Sequence, residues 1–285
     1  MKARYGLLWF LVLAALLPPR GNAATFTLQQ GVNGYTGTTD AWLERGNGGN
    51  DNHGGSALTR IRYNNIYRDT TVLKFDLTGQ IPANQRIMSA VLEIWYVDEW
   101  SMLANNALTL EPFRLIPGTA WYENIYEDQN GVGVSWTYRD AGETLLWTMD
   151  PYTANRGGWG DKADDGNSAA LIKRLGGSVP GAIEPQHWVS FNVTYTVRNW
   201  YDGTENNGFV IGVTAFQGGG YDCYGLFTTS EDSLTAYRPK LTINYEPVPE
   251  PAGLAGFALT ALAAVAWRRV RRGSREARAA LTAAI

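Results

Sequence analysis

Clustered carboxylates are the first feature of this 285-residue chain with the chemistry for a site. GDKADDGN, residues 160–167, gathers Asp161, Asp164, Asp165 and Asn167 into one short stretch. GNGGNDNHGG, residues 46–55, offers Asn50, Asp51 and Asn52. Calcium takes several oxygen ligands from a loop flexible enough to wrap it, so 160–167 is a candidate structural calcium loop. Neither stretch has the spacing and terminal Glu of the twelve-residue calcium signature, and a plain turn is the alternative for both.

A third group, Glu123, Glu127 and Asp128, lies among aromatics in WYENIYEDQN, as an acid-catalysed sugar cleft would require. The groups that would complete other catalytic sites are missing. There is no G-x-S-x-G, no His-Glu-x-x-His and no phosphate loop. His53 and His187 are the only histidines, which excludes a multi-histidine metal centre. Cys223 is the only cysteine, so no intrachain disulfide forms, and in YDCYGLF it reads as a small strand residue. Acidic side chains of exported loops are usually solvated, and the expectation is a protein without catalysis.

Aromatic rings are the remaining resource, with 11 Trp and 15 Tyr. Flat Trp and Tyr faces stack on sugar rings while neighbouring polar groups satisfy the hydroxyls. Trp95, Trp121 and Trp159 are the candidate sugar-binding residues, against the alternative that each is part of a core. Trp95 should point away from the inner core, because it alternates with Leu92, Ile94 and Tyr96. It is then either covered by the region of Trp121 and Trp159 or open beside Glu93.

The elements that would carry these residues are strands. TTVLKFDL (70–77), SAVLEIWYV (89–97) and HWVSFNVT (187–194) alternate apolar and polar positions, and GFVIGVTAF (208–216) and PKLTINYE (239–246) complete the clear strands. Gly, Asn and Asp clusters separate them, which indicates an all-β sandwich or barrel in one domain. In TVRNWYDG (196–203), Val197 and Trp200 are three apart and Asp-Gly follows, which predicts one helical turn. Residues 117–186 are less regular, and their tryptophans argue for an ordered region packed on the strands.

Both ends of the chain differ from this body. Lys2 and Arg4, an apolar run from Leu7 to Leu17 and small residues around Ala23 have the pattern of a secretory signal peptide over 1–23. At the other end, Ala252–Trp267 spans roughly 24 Å as a helix, short for a hydrocarbon core of about 30 Å. Pro249 and Pro251 keep its approach extended, and Arg268 and Arg269 hold its far end on the cytoplasmic side of the membrane. Residues 273–285 then form a basic cytoplasmic tail. Removing the charged residues of both ends leaves 15 basic and 26 acidic side chains, a net charge of −11. Such a body does not suit nucleic acid, whose phosphates demand clustered Lys and Arg.

Taken in order, VLKFDLTGQIPANQRIMSAVLEIWYV (72–97), WVSFNVTYTVRNW (188–200), NNGFVI (206–211), FTTSE (227–231) and RPKLTINY (238–245) resemble DNRLRE-domain proteins. Asn192 stands where that family usually has Asp. The resemblance spans about 26–245 and implies a jelly-roll β-sandwich over 24–246, related to carbohydrate-binding modules and acting by binding. Val248-Pro249-Glu250-Pro251, the apolar stretch and the arginines resemble a PEP-CTERM sorting signal over 247–272. That resemblance implies recognition by an exosortase-type membrane protease, cleavage near Pro249–Pro251 after a transient stay in the inner membrane, and delivery to the surface or matrix of a Gram-negative bacterium. The extension past the arginines departs from such signals. The functional expectation is a non-catalytic polysaccharide binder. A purely structural matrix or adhesion component is the alternative, and a polysaccharide-degrading enzyme the third reading.

Overall fold

Alternation of apolar side chains sets the sheet. The computed structural model describes residues 23–44, 51–64, 68–115, 117–124, 127–130, 132–143, 145–146, 169–219 and 222–248. In chain order the strands are β1 (Ala24–Gln29), β2 (Thr38–Glu44), β3 (Asp51–His53), β4 (Leu58–Asn64), β5 (Arg68–Phe75), β6 (Gln85–Trp100) and β7 (Ala107–Arg114). There follow β8 (Glu127–Asn130), β9 (Tyr138–Asp140), β10 (Leu145–Leu146), β11 (Ala170–Lys173) and β12 (His187–Asn192). Helix α1 (Thr194–Tyr201) precedes β13 (Phe209–Gln217), β14 (Asp222–Thr228) and β15 (Lys240–Pro247).

Eleven strands form one antiparallel sheet curled into a half-barrel, in the order β1-β15-β6-β14-β4-β5-β13-β7-β11. Strand β12 adds to β6, and β2 adds to β5. The 16-residue β6 holds the curl together by pairing with β12, β14 and β15. Two small ribbons, β3 with β8 and β9 with β10, lie outside this sheet.

The inner face follows the sequence pattern. Ala90, Leu92, Ile94 and Tyr96 of β6 are buried, as are Val189 and Phe191 of β12 with Val193 just beyond it. They join Leu73, Phe75, Phe209, Phe227 and Ile211 in one core. Each such side chain contributes about 1.5–3 kcal/mol through burial. Tyr96 also needs a partner for its hydroxyl, which donates to Lys173 O at 3.0 Å. Helix α1 covers the core with Val197 and Trp200, and the Trp200 ring lies 4.8 Å from Phe209. At eight residues it is longer than the single expected turn, and just ahead of it the Asn192 carboxamide oxygen accepts from the Thr194 N–H at 3.2 Å.

The outer face is not simply polar. Val72 of β5 and Val210 of β13 point outward yet are buried. Ala41 and Leu43 of β2 and Phe113 of β7 lie beside them on that face, and Leu115, Val134 and Trp136 complete a second apolar cluster, with Trp121 packed at its side. Part of the irregular 117–186 region thus forms a cover over the sheet, as its tryptophans suggest. Among the described residues no helix is long and apolar enough to cross a membrane. The segments of the expected signal peptide, Ala252–Trp267 and the basic tail lie outside the described residues.

Candidate functional site

Two constellations are candidates for functional chemistry. The first is a buried carboxylate trio. Asp40 of β2 stands opposite Leu73 in the register, and directly paired residues share a sheet face, so its side chain lies on the inner side. Glu123 belongs to the 117–124 segment, and Glu231 follows β14. One oxygen from each of the three lies within 4.8 Å of the others.

The local backbone explains how they meet. The Asp40 N–H donates to Glu123 Oε1 at 2.6 Å, so Glu123 satisfies a strand group that β5 does not. The Ser230 N–H donates to Asp40 Oδ2 at 2.7 Å, and the Ser230 hydroxyl donates to Glu231 Oε1 at 2.7 Å. Thr229 anchors this turn through its hydroxyl, which donates to Ser56 O at 2.6 Å. Beneath Glu123, Gly54 and Gly133 permit close approach. A Cβ on Gly54 would sit 2.2 Å from Asn124 O. Gly133 has φ +60°, and a Cβ there would sit 2.6 Å from Asn124 Cβ. Asn52, fully buried, ties the two glycine turns together: its amide donates to Val134 O and its oxygen accepts from the Gly54 N–H.

The electrostatics of the trio are unusual. No Lys or Arg among the described residues forms an ion pair with any of the three. Burial, then the charges of Glu231 and Glu123, hold the Asp40 carboxyl well above the usual carboxylate range. Burial pushes Glu123 up to about 8, with Glu231 adding to the effect. Burial likewise raises Glu231. Three carboxyls this close without a counter-charge must share protons or a cation.

The second constellation is an outward aromatic row. Trp95 does point away from the core, and the register sets it against Trp188 of β12. Their rings meet edge to face at 5.3 Å, and Tyr237, in the turn Thr235–Tyr237, stacks on Trp95 at 4.6 Å. Lys240 Nζ lies 3.9 Å over the Trp188 ring and 3.3 Å from Glu93. A register shift between Leu226 and Phe227 changes the parity of β6 against β14, which brings Trp100 outward as well. Trp100 is 60% exposed and stacks on Tyr224 at 6.2 Å, beside the Arg62–Asp222 ion pair at 2.7 Å. The row therefore runs along the outside of β12, β6 and β14.

The other predicted site residues fall elsewhere. Trp121 does not cover Trp95; its indole N–H donates to Asn207 O at 2.9 Å beside the second apolar cluster. Trp159 and the loop of Asp161, Asp164, Asp165 and Asn167 lie outside the described residues, as do Pro249, Glu250, Pro251, Arg268 and Arg269. In the 46–55 stretch, residues 51–53 form β3 instead of a plain turn. His53 stacks on Trp42 at 4.1 Å, and His187 faces its own loop at Pro185 O. Cys223 is buried, which pushes its thiol up to about 11 and leaves it unreactive. A pocket of about 330 Å³ beside Trp200 is bordered by Asp76 and Asn206, which are engaged in their own turns.

Of the trio, only Glu123 stood out in the sequence. Asp40 carried no signal, because it shares parity with Thr38 and Trp42 and alternates with the apolar Ala41 and Leu43. Fold and sites together define a mostly antiparallel-β protein with an acidic cluster and an aromatic outer face. Compared with known protein families and with curated proteins, the chain matches none.

Proposed function

We propose that this chain is an exported cell-surface or matrix protein whose body, a jelly-roll β-sandwich of DNRLRE type, binds polysaccharide without catalysis. The observation that carries the reading is the row Trp188, Trp95 and Tyr237 on the outside of the sheet, extended by Trp100 and Tyr224. Rings held by their neighbours lose little conformational freedom when a sugar stacks on them, and Lys240, Glu93 and Ser190 supply hydrogen-bonding groups at the edge. The net charge of −11 over the body disfavours polyanionic chains, so the partner is a neutral glycan.

Delivery follows from the ends. The 1–23 segment directs export, and the 247–272 segment anchors the chain in the inner membrane until an exosortase-type protease cuts near Pro249–Pro251. Affinity electrophoresis on a panel of neutral and acidic polysaccharides tests the binding. Retardation by a neutral glycan that is lost in Trp188→Ala and Trp100→Ala, with melting temperature little changed, supports it. Retardation by none of the panel leaves the structural matrix reading. Release of new reducing ends overturns the non-catalytic assignment.

A further inference from the structure

We propose that Asp40, Glu123 and Glu231 together bind one divalent cation, calcium by their chemistry, which staples β2, the 117–124 segment and the β14–β15 connection. This inference stands apart from the glycan reading and from the 160–167 loop.

The argument begins with which oxygens are already used. Framework donors hold one oxygen of each carboxyl: Ser230 N–H holds Asp40 Oδ2, Asp40 N–H holds Glu123 Oε1, and Ser230 Oγ holds Glu231 Oε1. Asp40 Oδ1 is the independent sign of a ligand. Asp40 is 1% exposed, and no donor among the described residues reaches that oxygen. A buried carboxylate oxygen without a donor is costly, and once the three carboxyls are ionised no neighbour is left to donate to it. A cation relieves it directly.

The geometry and ligand type fit calcium. A cation about 2.3–2.6 Å from each oxygen brings its ligands within about 5 Å of one another. The trio meets that limit, with one oxygen from each residue inside 4.8 Å of the others. The ligands are all hard oxygens, which suits calcium over zinc. Glu231 is exposed, so water reaches the site and completes the six to eight ligands calcium takes. The site is assembled from segments far apart in the chain, separated by 83 residues between Asp40 and Glu123 and by 190 between Asp40 and Ser230. Only the folded chain can offer it, so occupancy must stabilise the fold.

The test is calcium titration of the purified, chelator-stripped full chain at pH 7.5, by calorimetry and by thermal melting. The expected result includes a calcium site lost, or weakened at least about 100-fold, in Asp40→Asn and in Glu231→Gln, and retained in the Asp164→Asn/Asp165→Asn variant. At a hundredfold excess over Kd, calcium should raise the melting temperature by about 5–10 °C. Glu231 is on the surface, so Glu231→Gln reports on the site even where Asp40→Asn fails to fold. Absence of calcium binding by the wild-type chain at 5 mM (roughly the weak end of calcium sites) overturns the proposal. So does calcium binding, with its melting shift, that is unaltered in Glu231→Gln.

Discussion

Arg60 offers the sharpest quantitative check on the packing beneath the aromatic row. Its Nε lies 2.5 Å from Asp69 Oδ2 and its Nη2 2.9 Å from Glu44 Oε1. The guanidinium also sits 4.3 Å from the Trp42 ring centroid and 5.2 Å from that of Tyr224. Asp69 is fully buried; that burial raises its carboxyl to about 6, and Arg60 restrains the rise. Arg60→Met keeps the stem but deletes the charge. Removing one partner of a buried pair costs about 3–5 kcal/mol, which for a body of this size is roughly 6–20 °C in Tm.

The sign with pH is definite. A carboxyl whose folded pKa lies above its ordinary value favours the fold when protonated and loses that contribution as pH rises through the folded pKa. In Arg60→Met the Asp69 pKa moves higher still, so Asp69 ionises above about 6 in the wild-type chain and only at higher pH in the variant. The gap in stability should therefore be near its full size at pH 8. At pH 5, where both folded forms are protonated, it should shrink to about 1–2 kcal/mol of lost packing and cation–π contact. Urea titrations at the two pH values measure it, and Asp69→Asn in the same background should restore most of the loss at pH 8. Equal costs at both pH values, or no rescue, would refute the assignment of Asp69 as the group that Arg60 chiefly neutralises.

Further outcomes follow from the same geometry. In a metal chelator, stability should fall as pH rises from 4.5 towards about 8, because Glu123 and its neighbours have raised pKa values and must ionise against one another; calcium should flatten that slope in thermal melts. Gly54→Ala, with its Cβ 2.2 Å from Asn124 O, should cost about 1–3 kcal/mol in urea titration and weaken calcium binding by displacing Glu123. Cys223 should resist a thiol reagent in the native chain at pH 8 and react on denaturation, since its thiol is buried and raised to about 11.

What the residues determined by themselves was local. A period of two is a property of any extended backbone, so the burial of Ala90, Leu92, Ile94 and Tyr96, of Val189 and Phe191, and the outward aim of Trp95 could be read without partners. Likewise, Val197 and Trp200 ahead of Asp-Gly announced a helix before its environment was known. What the tertiary structure decided was which strands meet and what covers each face. Val72 and Val210 sit at outward positions and are buried only because Val134 and Trp136 return over them from far along the chain. Trp188 faces Trp95 because β12 pairs with β6 in one register, and Trp100 joins the row because a register shift changes the parity. Asp40, Glu123 and Glu231 converge through a strand edge, a segment threaded past two glycines, and a turn. No spacing in the sequence encodes such a meeting, because long-range pairing and close backbone approach, not local periodicity, bring those carboxyls together.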